Sequence, residues 1–123
     1  MSLTGDITSA EVVREAVARV VATYGRLDCA FNNAGIAPQH VEARGMKTAE
    51  WSEQSFDRMI AVNLKSVWLC MKYEILQMQA QEGGAIVNTS SILGLVAFPR
   101  RYRLHGGQAW RDRADQDGCP RIC

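Results

Sequence analysis

Leu27-Asp28-Cys29-Ala30-Phe31-Asn32-Asn33-Ala34-Gly35 is the stretch of this 123-residue chain from which a fold can be read. A short, mostly apolar run ends abruptly in three residue types that favour turns. Residues 27–31 therefore read as a buried parallel strand, and residues 32–35 as the turn that leaves it. A second segment repeats the design. Ala85-Ile86-Val87-Asn88-Thr89 follows the break at Gly83-Gly84 and runs into Ser90-Ser91.

The residues around these two segments read as helices. Thr8-Ser9-Ala10-Glu11 has the spacing of a capping box, with Thr8 at the N-cap and a carboxylate three residues on. Val12, Val13, Ala16, Val17, Val20, Val21 and Tyr24 recur at helical spacing, and Gly25 supplies a stop, which predicts a helix over 9–24. Residues 36–50 read as a loop. Ser52 caps a helix through Ile60, and Leu64, Val67, Trp68, Met71, Ile75 and Met78 form a helical stripe to Gln81. The order helix, strand, helical crossover, strand predicts an α/β fold with a parallel sheet and right-handed crossovers.

Composition narrows the function classes. No apolar run approaches the ~20 residues of a membrane span. Residues 1–6 lack the basic and apolar regions of a signal peptide, so the expected location is the cytoplasm. Cys29 and Cys70 sit in apolar segments and read as buried packing residues. Cys119 and Cys123 have no His or second cysteine pair to complete a metal site, so no metal is expected. Residues 1–99 carry 8 Lys and Arg against 10 Asp and Glu, whereas residues 100–123 carry 6 Arg against 3 Asp, with no Lys and no Glu. Asp112, Asp115 and Asp117 dilute those arginines, which argues against a nucleic-acid partner. That leaves 1–99 as a folded unit and 100–123 as a tail of different character, irregular or disordered.

In an open α/β sheet, ligands bind at the carboxyl ends of the strands. Both polar motifs, Asn32-Asn33-Ala34-Gly35 and Asn88-Thr89-Ser90-Ser91, lie there. Taken singly, the first is an ordinary turn, Ser91 a loop hydroxyl and Asn63 a polar helix residue. In this order and at these spacings, the three point jointly to function.

These residues resemble the middle of a classical short-chain dehydrogenase/reductase. Asp6-Ile7-Thr8 is similar to the Asp-Val-Thr segment that ends the family's third strand, and the resemblance implies that Asp6 contacts the adenine ring. Asn32, Asn33, Ala34 and Gly35 match the motif that stabilises the family's sheet and lies against the cofactor ribose. Asn63, in Ala61-Val62-Asn63-Leu64, matches the helix asparagine that holds a water of the proton relay. Gly84 through Ser91 matches the fifth strand and catalytic serine, placed at Ser91 because Ile92, Leu93 and Gly94 follow it. The resemblance covers residues 6–99. It implies a partial Rossmann-like fold, incomplete at both ends, an NAD or NADP cofactor, and hydride exchange with a small alcohol or carbonyl substrate. It also implies subunit packing through helix 63–81.

The same resemblance marks two departures. The family opens with a strand and a Gly-rich turn that cradles the pyrophosphate at a helix N-terminus, and nothing ahead of Asp6 corresponds to it. It also requires a Tyr-x-x-x-Lys pair near Leu104, where the lysine lowers the tyrosine pKa. The nearest tyrosine is Tyr102, with Gly106 four residues on, and no lysine follows Lys72. One consistent codon choice for residues 104–123, read one base later, yields Tyr-Thr-Ala-Val-Lys and then a string resembling the family's catalytic helix. The expectation is a frameshift near Pro99 and Arg100. As written, the chain is expected to be a fragment that is inactive or nearly so. The competing expectation is a non-catalytic module that packs on a full-length relative through helix 63–81.

Overall fold

A computed structural model describes residues 1–91. Helix α1 spans Ala10–Tyr24, and its start is set by Ser9, whose backbone is extended and whose Oγ accepts from the Val12 N–H at 3.5 Å. The cap thus falls one residue later than the capping-box spacing places it. Thr8 is occupied elsewhere: its N–H and hydroxyl both donate to Asp6 Oδ1, at 2.9 and 2.8 Å. Gly25 ends the helix at φ +85°, with its N–H on the Val21 carbonyl at 2.7 Å. A left-handed position of this kind suits glycine, which has no Cβ to clash.

Strand β1 follows as Cys29–Asn32. The segment read as a loop contains two single 3-10 turns, Pro38–Val41 and Thr48–Glu50. Ser52 then caps α2, Glu53–Ile60, accepting from the Ser55 N–H at 3.0 Å. The helix does not stop at Ile60. It widens into a π-helical turn over Ala61–Lys65, where the Ser66 N–H reaches back five residues to the Ala61 carbonyl, and continues as α3, Ser66–Ala80. Strand β2 is Ala85–Asn88.

The two strands pair in parallel, with Cys29 opposite Ala85, Ala30 opposite Ile86, Phe31 opposite Val87 and Asn32 opposite Asn88. The parallel α/β expectation holds. One face of this sheet lies under α3, which in turn packs on α1. Val13 of α1 meets Leu69 and Cys70 of α3, with Ile7 and Tyr73 against them. A second cluster joins Val41, Ala43 and Met59 with Ile36 and Trp51, and so seats the segment after β1 on α2.

One expectation about burial fails. Cys29 is exposed, because strand alternation turns it, with Phe31, to the face away from α3. Trp68 belongs to the apolar stripe by sequence but is 47% exposed, with the Lys72 ammonium 5.5 Å from its ring centroid.

Side-chain amides pin β1 at both ends. Gln81 accepts from the Leu27 N–H at 3.0 Å and donates to the Leu27 carbonyl at 2.7 Å. Asn63 does the same to Ile36, accepting from its N–H at 2.8 Å and donating to its carbonyl at 2.9 Å. Each amide saturates both backbone groups of one residue, as a neighbouring strand would.

Candidate functional site

Because β1 and β2 run parallel, their carboxyl ends lie side by side, and the turns that leave them are neighbours. The backbone ladder continues one step past the strands, with the Thr89 N–H on the Asn32 carbonyl at 2.9 Å. The Thr89 hydroxyl then donates to Asn33 Oδ1 at 2.7 Å. Ser91 is half-buried two residues further along. Asn33, Ala34 and Gly35 are exposed, whereas Asn32 is buried.

Asn63 reaches this turn from the π-helical segment. The wide turn places it on Ile36, the residue directly after Gly35. A Cβ on Gly35 would stand 3.2 Å from Asn63 Oδ1, tighter than ordinary contact, so the glycine permits the close approach. π-Helical turns inside α-helices frequently occur at functional sites. No residue in Ala61–Lys65 announces one, and its position was not legible from the stripe.

Beneath the turn, Asn32 Nδ2 donates to Glu74 Oε2 at 2.9 Å and to Asn88 Oδ1 at 3.0 Å. Asn88 Nδ2 in turn faces Met71 Sδ at 3.4 Å. Glu74 is 8% exposed, and burial pushes its carboxyl above the usual range, with the Asn32 hydrogen bond pulling the other way. Burial, helped by the nearby Glu74 charge, also pushes the Cys70 thiol up, to about 11. Sequence reasoning missed Glu74. The signal was a carboxylate at the helical phase of Val67, Met71 and Met78, inside an apolar stripe.

Asp6 stands apart from this group. Its hydrogen bonds go to Thr8, and Arg58 of α2 lies 3.8 Å away. The Thr8 backbone and hydroxyl, and then Arg58, hold its carboxyl below the usual range. Five sequence-derived residues therefore converge at the strand ends: Asn32, Asn33, Ala34, Gly35 and Asn63. Ser91 lies on the same edge, and Asp6 meets α2 through Arg58. Gly94, Tyr102, Leu104, the frame change and the tail from residue 100 lie outside the described residues. Among the described residues, no group of three or more His, Cys, Asp or Glu could hold a metal, and no helix is long and apolar enough to cross a membrane.

Polar turns at the carboxyl ends of adjacent parallel strands, with a helix asparagine closing on them, define an α/β protein of the dinucleotide-binding, Rossmann-like class. Comparison with known proteins gives the family. Residues 1–102 match the short chain dehydrogenase family, and the chain belongs to it. An uncharacterized oxidoreductase of Thermotoga maritima is 45% identical over 98 residues, 79% of this chain and 36% of the relative. A 2,5-dichloro-2,5-cyclohexadiene-1,4-diol dehydrogenase of Sphingobium indicum is 42% identical over 102 residues, 82% of this chain and 37% of the relative. The solved structure of ElxO with NADP bound is 38% identical, with a TM-score of 0.68, covering 80% of this chain and 38% of that one. The chain thus spans well under half the length of these relatives.

Proposed function

We propose that this chain carries the central part of an NAD(P)-dependent oxidoreductase that exchanges hydride with a small alcohol or carbonyl compound. One observation carries the reading: the 32–35 turn, Asn63 and Ser91 gather at the carboxyl edge of two adjacent parallel strands. NADP bound to ElxO and the diol dehydrogenase activity named for the Sphingobium relative support it.

Residues 32–35 fit one part of such a cofactor. Asn33, Ala34 and Gly35 are exposed, which leaves the turn open to a ribose, and Asp6 is available to the adenine amine. When bound, the cofactor supplies the hydride. Asn33 is held for that contact by Thr89, and Asn63 fixes the backbone that follows. Ser91 donates its hydroxyl to the substrate oxygen and so orients the reacting carbon. No Tyr-x-x-x-Lys pair occurs in the sequence, so proton transfer at the substrate oxygen has no residue assigned to it here. We read the 123-residue product as inactive or nearly so, and residues 100–123 as a frame-shifted form of the segment that carries the pair.

Sequencing the gene and its flanks tests this. The upstream flank encodes a Gly-rich strand–turn–helix, a one-base correction near Pro99 restores Tyr-x-x-x-Lys in an open frame, and the protein with both parts turns over NAD(P)H with an alcohol or carbonyl. Ser91→Ala in that protein lowers kcat about a hundredfold. Absence of such a frame defeats the frameshift reading. Unchanged turnover in Ser91→Ala defeats the assignment of the serine.

A second reading has one observation of its own. Trp68 and Leu76, 47% and 56% exposed, lie two turns apart on α3 with Lys72 between them. A full-length relative packing on that face gives a non-catalytic interaction module. Co-purification that is lost on Trp68→Lys and Leu76→Lys favours it.

A further inference from the structure

We infer that Glu74 is the positioning residue of the 32–35 turn, fixing it from beneath through the side chain of Asn32. The inference rests on the proposed reading of that turn as the cofactor contact.

A buried amide and a buried carboxylate meet where a helix packs on a sheet, a place ordinarily filled by apolar side chains. Asn32 and Glu74 are each only 8% exposed. An amide nitrogen has two hydrogens, and both are used: one goes to Glu74 Oε2 at 2.9 Å and the other to Asn88 Oδ1 at 3.0 Å. Both partners are acceptors, so the nitrogen end of the amide must face them, and the side chain has a single orientation. Asn32 is also the last residue of β1, so fixing it fixes the direction in which the chain leaves the sheet. Thr89 then carries that direction to Asn33 through its hydroxyl.

Either acceptor alone leaves the amide free to swing about the other. Asn88 is on β2 and Glu74 on α3, so the pair also ties the turn to two separate elements. An apolar residue at 74 packs as well, and replacing buried ionic groups by apolar ones is often neutral or stabilising. The carboxylate at 74 is therefore explained by what it holds rather than by the packing. Its surroundings leave it to act alone. Cys70, one turn earlier on α3, is the titratable group facing it and stays neutral where a carboxyl titrates. The strands contribute the neutral amides of Asn32 and Asn88.

The test uses the 123-residue chain labelled with 15N, with NADPH as the probe. In the unaltered protein, the Asn32 side-chain amide signals exchange slowly with water, and they move together with the backbone amides of residues 33–35 as Glu74 titrates. Glu74→Leu displaces those signals and weakens NADPH binding about tenfold, the loss of one hydrogen bond to a charged acceptor. Glu74→Gln keeps an acceptor at the same place, restores most of the affinity and abolishes the titration. A merely structural role for Glu74 lowers stability in Glu74→Leu without displacing the signals of residues 33–35 or changing the NADPH affinity.

Wild-type signals for residues 33–35 and wild-type affinity in Glu74→Leu overturn the proposal and leave the cofactor reading intact. Displaced signals in a protein that binds no NADPH even when unaltered leave the hold of Glu74 on the turn standing and separate it from the cofactor reading. If Glu74→Leu does not fold, the titration of the unaltered protein decides. Amides 33–35 that stay still while Glu74 titrates overturn the proposal.

Discussion

Under α3 the sheet presents Ala30, Asn32, Ile86 and Asn88. On its other face it presents Cys29, Phe31, Ala85 and Val87. The covered face ends in two asparagines and meets a glutamate. The open face carries the larger apolar side chains, with Phe31 67% and Val87 58% exposed. A parallel sheet ordinarily has both faces covered, and the described residues cover only one of them. The two faces therefore differ in what they do here. The covered face spends burial on fixing the direction of one turn. The open face holds apolar area available for burial and contributes little to holding these 91 described residues together.

Three variants separate the two faces. Asn32→Leu has the largest effect. It leaves the Glu74 carboxylate buried without its donor and costs about 3 kcal/mol, read from urea denaturation. A loss no larger than that of an exposed substitution shows that the covered face is not organised by this network.

The pH response is smaller and has a definite sign. Glu74 holds its proton more tightly in the folded protein than in the unfolded chain. Its contribution to stability is therefore complete below the ordinary carboxylate value of 4.5 and is lost as pH rises through the raised folded value. Glu74→Gln removes that dependence. Melting temperatures of the two proteins therefore differ with pH across this window, with the variant gaining relative to the unaltered protein towards neutrality. Asp6, whose carboxyl is held low, acts in the opposite sense in acid but is common to both proteins and cancels. Parallel melting curves across the window show that Glu74 is not the group responsible.

The smallest effect falls on the open face. Phe31→Ser combined with Val87→Ser changes unfolding free energy by no more than about 0.5 kcal/mol, as exposed positions do. The pair reduces self-association seen by sedimentation, because an exposed apolar strand face invites pairing with another chain. A large loss of stability instead places part of the core on that face.

What could be read in advance follows the same division. The strands and the two turns were legible because short apolar runs broken by Asn and Gly carry their meaning locally. The cap of α1 was missed by one residue, since Thr8 prefers Asp6 and only the folded backbone shows that choice. Cys29 misled because apolar residue type says nothing about which face has a neighbour. The continuous helix from Glu53 to Ala80 was read as two, since a π-helical turn shifts the phase of the apolar stripe without any breaker residue. Asn63 was singled out by its resemblance to a known motif, and it closes on the turn after β1. Its two bonds to Ile36 were not legible, nor was Glu74, because both depend on which helix face meets the sheet.

The contacts that shape the turn also have a consequence in time. Asn32 with Asn88, and Asn33 with Thr89, join residues 56 apart in sequence, and Asn32 with Glu74 spans 42. Contacts so distant along the chain close only after the intervening segment has been ordered. Helix α3 can therefore form while the 32–35 turn has no fixed direction, whereas the docking of α1 on α3, which joins Val13 to Leu69, spans an equal length of chain and belongs to the same stage. The turn is thus among the last parts of this region to gain protection from hydrogen exchange during refolding, and its protection reports that the crossover is in place.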